Sequence, residues 1–389
     1  VTPDRRAFLQ LLLASAVVPA RALAGQASPA QGIEAAADGF HVHPGGSIQA
    51  ALDAAAAAPQ EKKAVYVHAG TYRPSAPGQA LVWLNARHDG LTIEAVGDVL
   101  LTAANPDLAD PAAPSHPAIV NHVVYFGDGI SRATVFRGFK ITGANNFTTG
   151  SGEKSPIEAD EVRKTLFFYT DGGGIKVYAR SFPTIEHVEV FGNYTSPCGG
   201  GVSVEHLVTP RDSVLFRNCV FRNNRTQTTG AGFDLLHFSK ATLENCLFTG
   251  NISNLGVDFV GILAGGEFHP EHGSGAMTVF GGAQAIVSRC TFTGNWNGVD
   301  DAGTGSRYED CVFWQNTAAG GISPEGRYEI DIEDGSGVKG CFVHGAIDDL
   351  RGTVARETNT LAAPDPQFDA QFVPRSPVYA KAGYRPASR

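Results

Sequence analysis

The chain has 389 residues, 46 of them glycine, with 43% hydrophobic and 18% charged residues and a formal net charge of −9. That is enough chain for one large domain. The acidic balance argues against a nucleic-acid partner, which calls for a basic stripe, and an anionic polymer would need local Arg, Lys or a bound cation to be held against it.

Residues 1–24 read as an export signal and stand outside the fold. Asp4-Arg5-Arg6-Ala7-Phe8-Leu9-Gln10 resembles the twin-arginine motif. The apolar run from Leu9 to Ala20 is too short to span a bilayer, and Ala22-Leu23-Ala24 offers a small-x-small cleavage site. The resemblance implies an exported, periplasmic or extracellular protein. Residues 25–39 read as a flexible lead, and no later segment has the pattern of a transmembrane helix.

The folded domain is expected over residues 40–357. Phe40-His41-Val42-His43 forms a short strand. Ser47 can cap a helix through Ala58, with Ile48, Ala51 and Leu52 on one face. Strands follow at Ala64–Val67 and Leu91–Ala95. This segment reads as a cap over one end of what comes next. His41 and His43 make a His-x-His pair that is read as part of the cap strand.

From residue 172 the chain repeats itself. A glycine phrase recurs at Gly172-Gly173-Gly174-Ile175, Gly199-Gly200-Gly201-Val202, Gly230-Ala231-Gly232-Phe233 and Ser274-Gly275-Ala276-Met277. Between the copies runs a phrase from Cys through Phe to Asn: Cys219, Phe221 and Asn224, then Cys246, Phe248 and Asn251. It returns with Cys290, Phe292 and Asn295, then Cys311, Phe313 and Asn316, and fades at Cys341-Phe342. A unit of roughly 20–30 residues cannot bury its apolar face alone and must stack on its neighbours. The pattern predicts an all-β solenoid, a right-handed parallel β-helix, with asparagines hydrogen-bonded along the axis and Cys and Phe filling the interior. A β-propeller is the second architecture compatible with repeats, but its blades are longer and more uniform. Five of the six cysteines hold one place in the repeat, so they read as stacked buried thiols rather than disulfides. Cys198 lies outside that ladder.

The run Ser47–Asp53, Val65-Tyr66-Val67 and Gly70-Thr71-Tyr72 resembles the opening of the pectate-lyase-like β-helix superfamily. The glycine and Phe-x-x-Asn phrases are similar to repeats of polymorphic outer-membrane β-helix proteins. The resemblance implies a solenoid over roughly residues 45–345 and, as activities, polysaccharide lyases, glycoside hydrolases, esterases or binding alone. Of the polygalacturonase motifs only Asp300-Asp301 has a counterpart. Residues 358–389, rich in Pro and Ala, resemble the tail that packs along such solenoids.

Aligning the glycine phrases puts Ile175, Val202, Phe233, Met277 and Val299 in one inward column. Alternation then sends Lys176, Ser203, Asp234, Thr278 and Asp300 outward, with Asp331 continuing the row. Tyr178 and Glu205 lie two residues further on, and His237 near the edge. Two insertions, 145–170 and 252–273, enter at the same corner and are expected to wall a groove. Asp234 and Asp300 sit two coils apart, about 9–10 Å, near the upper end of the inverting-glycosidase spacing of roughly 6.5–9.5 Å. Such carboxylates also suit calcium. Asp300 and Asp301 also fit a plain turn.

Lys176, Arg180 and Arg225 are candidates to orient an anionic group, and Trp296 either stacks on a sugar at the groove edge or packs on the neighbouring coil. In the second insertion, Glu267, His269, Glu271 and His272 crowd imidazoles and carboxylates together. That set suits zinc, copper, iron or manganese. Alternatively His269 and His237 carry protons in the groove, or the segment is a solvated polar loop.

The reading is a monomeric, exported carbohydrate-active protein. It cleaves a polysaccharide or oligosaccharide by β-elimination or hydrolysis, with calcium or a transition metal as the cofactor expectation. A periplasmic or surface binding protein, or a metal-handling accessory, is the alternative.

Overall fold

Short β-branched and aromatic strands, many of them followed by a residue of positive φ, stack here into parallel ladders. The computed structural model describes residues 32–59, 63–75, 78–104, 120–146, 171–195, 198–207, 210–255, 273–320, 325–344 and 351–387. Residues Gly32–Arg389 belong to one unit.

Nearly all pairings are parallel and join equivalent positions of successive coils. One sheet of nine strands runs in chain order from Gly78–Leu84 through Val120–Phe126, Ile175–Tyr178, Val202–Glu205, Phe233–Leu235, Met277–Val279, Val299–Asp301 and Ile330–Ile332 to Arg351–Gly352. A nineteen-stranded sheet forms the remaining wall, and a three-stranded one (Asn145–Asn146, Tyr194–Thr195, Arg225–Thr226) the corner. The columns follow the sequence alignment. Ile175 pairs with Val202, Val202 with Phe233, Phe233 with Met277, and Met277 with Val299. All five are fully buried.

The interior is filled by like residues stacked on like. Phe221, Phe248, Phe292 and Phe313 stack at 4.7, 4.7 and 4.9 Å between ring centroids. Asn193, Asn224, Asn251, Asn295 and Asn316 form a buried polar ladder. Each Nδ2 donates to the Oδ1 of the next coil at 2.8–3.1 Å, and Glu329 accepts from the last at 2.5 Å. Each amide also caps a backbone carbonyl, so the row carries buried polarity with partners throughout. All six cysteines are buried and none is in a disulfide.

At the head, the helix Ile48–Ala57 is capped by Ser47, whose side chain accepts from the Ala50 amide. Its Ile48, Ala51, Leu52 and Ala55 face the core. The stretch expected as a flexible lead contains a strand. Ile33–Ala35 pairs antiparallel with Phe40–Val42, where it covers an otherwise open strand edge. In the C-terminal stretch, Thr360–Leu361 pairs with Phe342–Val343, and Tyr379 packs on Phe342 at 4.3 Å.

Candidate functional site

The outward face of the nine-stranded sheet carries the polar column. Register aligns Trp83, Tyr125, Lys176, Ser203, Asp234, Thr278, Asp300, Asp331 and Arg351 across successive coils. Its middle is a dense charge cluster. Lys176 Nζ lies 2.8 Å from Asp171 Oδ1 and 2.7 Å from Glu205 Oε2, with Ser203 Oγ at 3.3 Å. Ser203 Oγ donates to the other Asp171 oxygen at 2.7 Å. Lys176, Asp171 and Ser203 are fully buried, and Glu205 keeps 21% of its side chain exposed.

Asp234 sits beside this cluster, on the coil after Ser203, with no solvent exposure. Neither of its oxygens meets an N–H or O–H donor among the described residues. The weak S–H donor of Cys198 is what faces it. Burial therefore pushes the carboxyl well above its ordinary value, and the charges of Asp171 and Glu205 add to that. Burial likewise lifts Asp171 to about 6, against the pull of Lys176. Burial works against the Lys176 ammonium too, but the charges of Asp171 and Glu205 outweigh it and hold the group protonated, above its usual value.

The glycine phrases build this site. The residue before each phrase is Asp171, Cys198, Thr229 and Gly273. Gly172, Gly199 and Gly230 follow with φ of +76°, +66° and +66°. This left-handed turn brings the preceding residue back over the sheet. A Cβ on Gly230 would meet Asp234 Oδ1 at 2.6 Å, and one on Gly199 would meet Ser203 Cβ at 2.9 Å. Asp171, Cys198 and Asp234 consequently present ligand-type atoms within 4.8 Å of one another. The Lys176 ammonium already supplies the positive charge at Asp171, so a second cation there meets repulsion rather than an open anionic cage.

The other expected residues divide. Asp300 lies in the same column as Asp234, two coils on, is half-buried and accepts from the Gly273 amide at 2.9 Å. Tyr178 aligns with Glu205 and is half-buried. Asp301 does not belong to the face. Alternation turns it into the interior, where it is buried, accepts from Tyr308 Oη at 2.7 Å and from the Gly303 amide at 2.8 Å, and is raised by burial.

Trp296 is no sugar platform either. It is 1% exposed, and its backbone bridges antiparallel to Thr317. Arg180 is tied at the surface to Asp128. Arg225 is exposed on the corner sheet. His237 is exposed beyond the strand end, its Nδ1 3.0 Å from the Gly281 carbonyl. Glu267, His269, Glu271 and His272 lie outside the described residues.

Parallel coils with a polar cluster on one outward face define a solenoid protein with a candidate site on its flank. The family model for the right handed beta helix region matches residues 121–269 and 208–348, more than half of the chain, and the chain belongs to that family. A crystal structure of pectate lyase Pel9A is 14% identical, with 80% of this chain and 72% of that one covered and a TM-score of 0.39. No curated protein matches the chain. Among the described residues no helix is long and apolar enough to cross a membrane.

Proposed function

We propose that this β-helix protein is a carbohydrate-active enzyme that hydrolyses a polysaccharide on the outward face of the nine-stranded sheet. One observation carries the reading: Asp234, fully buried and raised well above its ordinary value by that burial, lies diagonally across one coil from Glu205, the cluster member that reaches solvent. On adjacent parallel strands such diagonal neighbours have backbones roughly 8 Å apart, a spacing compatible with the roughly 6.5–9.5 Å between the carboxyls of an inverting pair. A carboxyl raised by burial can serve as general acid opposite a second carboxyl that reaches water and can serve as general base.

In this reading Glu205 activates water, with Lys176 fixing its carboxylate. Asp234 donates a proton to the glycosidic oxygen leaving group. Asp171 and Ser203 hold Lys176 in place. Substrate binding has to open a path to Asp234, which is shielded in the free protein. Trp83 and Tyr178 on the same face offer ring surfaces to sugar C–H groups. Hydrolysis is favoured over β-elimination because Lys176, fully buried between two carboxylates, is not placed to neutralise a substrate carboxylate or take a carbon-bound proton. A metal has no assigned step, and calcium enters only as an additive in the assay.

The test is a polysaccharide panel assayed with and without calcium, read both for new reducing ends and for the absorbance of unsaturated uronates. The expected result is reducing ends without unsaturated product, lost at least about a hundredfold in Glu205→Gln, within the usual span of general-base effects. Unsaturated ends would replace hydrolysis by elimination. Cleavage unaffected by Glu205→Gln would move the site elsewhere, and no cleavage of any member would favour a binding protein.

A further inference from the structure

A group of rings lies on the Glu205 face that the charge cluster does not use. Glu205, Leu236 and Phe280 each follow the aligned column of Val204, Leu235 and Val279. The Leu236 amide donates to the Val204 carbonyl at 3.0 Å and the Phe280 amide to the Leu235 carbonyl at 2.9 Å, so the row stays in step where the strands end. Alternation turns this row outward. Phe280 therefore stands on the same face as Glu205, two coils and about 10 Å further along the axis. The His237 ring meets Phe280 edge-on at 5.2 Å, and the Phe238 ring lies 6.2 Å from His237.

Phe238 is 43% exposed, and its backbone has a φ of +63°. A bulky residue in the left-handed region is strained, and such strain concentrates at ligand clamps and active sites. The turn that holds it is anchored. The Ser239 amide donates to the Leu236 carbonyl at 3.0 Å, and the buried Ser239 Oγ accepts from the His206 amide at 2.8 Å. Room for the ring comes from Gly282 on the next coil, where a Cβ would stand 2.7 Å from it. His237 Nδ1 is 3.0 Å from the Gly281 carbonyl, which only accepts, so Nδ1 carries the proton and donates. Nε2 of the neutral ring is then an acceptor on an exposed side chain.

We propose that His237, Phe238 and Phe280 form a binding subsite for an uncharged pyranose unit of the substrate. The inference rests on the reading of Glu205 as the cleavage point and deepens it. The two phenyl rings cover sugar C–H groups, and His237 Nε2 accepts from a sugar hydroxyl. These three side chains supply no fixed cation of the kind that recognises a carboxylate, so the substrate class is a neutral polysaccharide rather than a polyuronate. Coils rise about 4.8 Å each, so a chain laid along the solenoid axis passes from Glu205 to the rings within a few sugar units.

The test uses the full chain carrying Glu205→Gln, so that binding is read without cleavage. It is titrated calorimetrically with cello-, malto-, manno- and xylohexaose and with hexagalacturonate, and thermal midpoints are recorded in parallel. A neutral hexaose is expected to bind and hexagalacturonate is not. Adding Phe238→Gly should weaken that binding about three- to tenfold, the span of one aromatic contact. Glycine takes a positive φ freely, so the same change should cost little stability. A ring that serves packing alone would instead lower the midpoint and leave affinity untouched. Unchanged affinity in Phe238→Gly, tighter binding of hexagalacturonate, or no binding of any neutral hexaose would overturn the subsite. Binding that depends on Phe238 in a chain whose wild type cleaves nothing would remove the hydrolytic reading and leave the subsite standing.

Discussion

Lys176 Nζ and Glu205 Oε2 meet at 2.7 Å across two adjacent coils, the first fully buried and the second opening to solvent. With Asp171 at 2.8 Å on the other side, the ammonium is the only cation between two carboxylates in the described cluster. Removing it leaves those carboxylates facing each other without compensation. Lys176→Met is expected to destabilise the fold by about 3–5 kcal/mol. Denaturant unfolding measures it, and an unchanged midpoint would mean that the cluster is not paired as described.

Asp234→Asn should do the opposite. The native carboxyl is held well above the 3.8 of the unfolded chain. At acid pH both states are protonated and the substitution changes little. As pH rises past 3.8 the unfolded chain releases its proton while the native chain keeps it, so the Asp234 form loses stability. Asn does not titrate. The advantage of the variant therefore grows by about 1.4 kcal/mol per pH unit until native Asp234 itself ionises. Unfolding curves from pH 4 to 8 check the sign. A more stable protein that no longer cleaves substrate is the expected pair of outcomes.

The solenoid itself was open to reading because it is written in repeats. The Cys, Phe and Asn columns are periodic, and each sits where stacking buries it. The outward column was readable as well, since alternation from Ile175 or Phe233 fixes the face of Lys176 and Asp234. What alternation did not reach is Asp171 and Cys198. They precede the strands, and their direction is set by the positive φ of Gly172 and Gly199. The signal was the residue before each glycine phrase.

Asp301 was misplaced for a different reason. Two consecutive aspartates suggest a polar turn, but a strand sends one of them inward, and Tyr308 supplies the hydroxyl that lets it stay there. Of the two readings open for Trp296, sugar platform and packing on the neighbouring coil, its burial favours packing, and its neighbours Asn295 and Asn297 only look like surface residues. Both are buried, hydrogen-bonded members of the corner.

The thiols give an independent check on the stacked interior. All six cysteines are buried and unbridged, and a thiol without access to solvent does not react. The native protein should take up essentially no thiol reagent and all six equivalents after denaturation, and reductant should leave its thermal midpoint unchanged. Rapid native labelling at the ladder positions, or a reductant-sensitive midpoint, would contradict the packing.

Everything proposed for the outward face depends on Asp234 keeping its proton at neutral pH. The direct measurement is an infrared spectrum in the carboxyl-stretch region, wild type minus Asp234→Asn, at pH 7. A protonated-acid C=O band present only in the wild type is the predicted result. A difference spectrum showing only an ionised carboxylate would contradict it, and the acid–base pairing of Asp234 with Glu205 would fall.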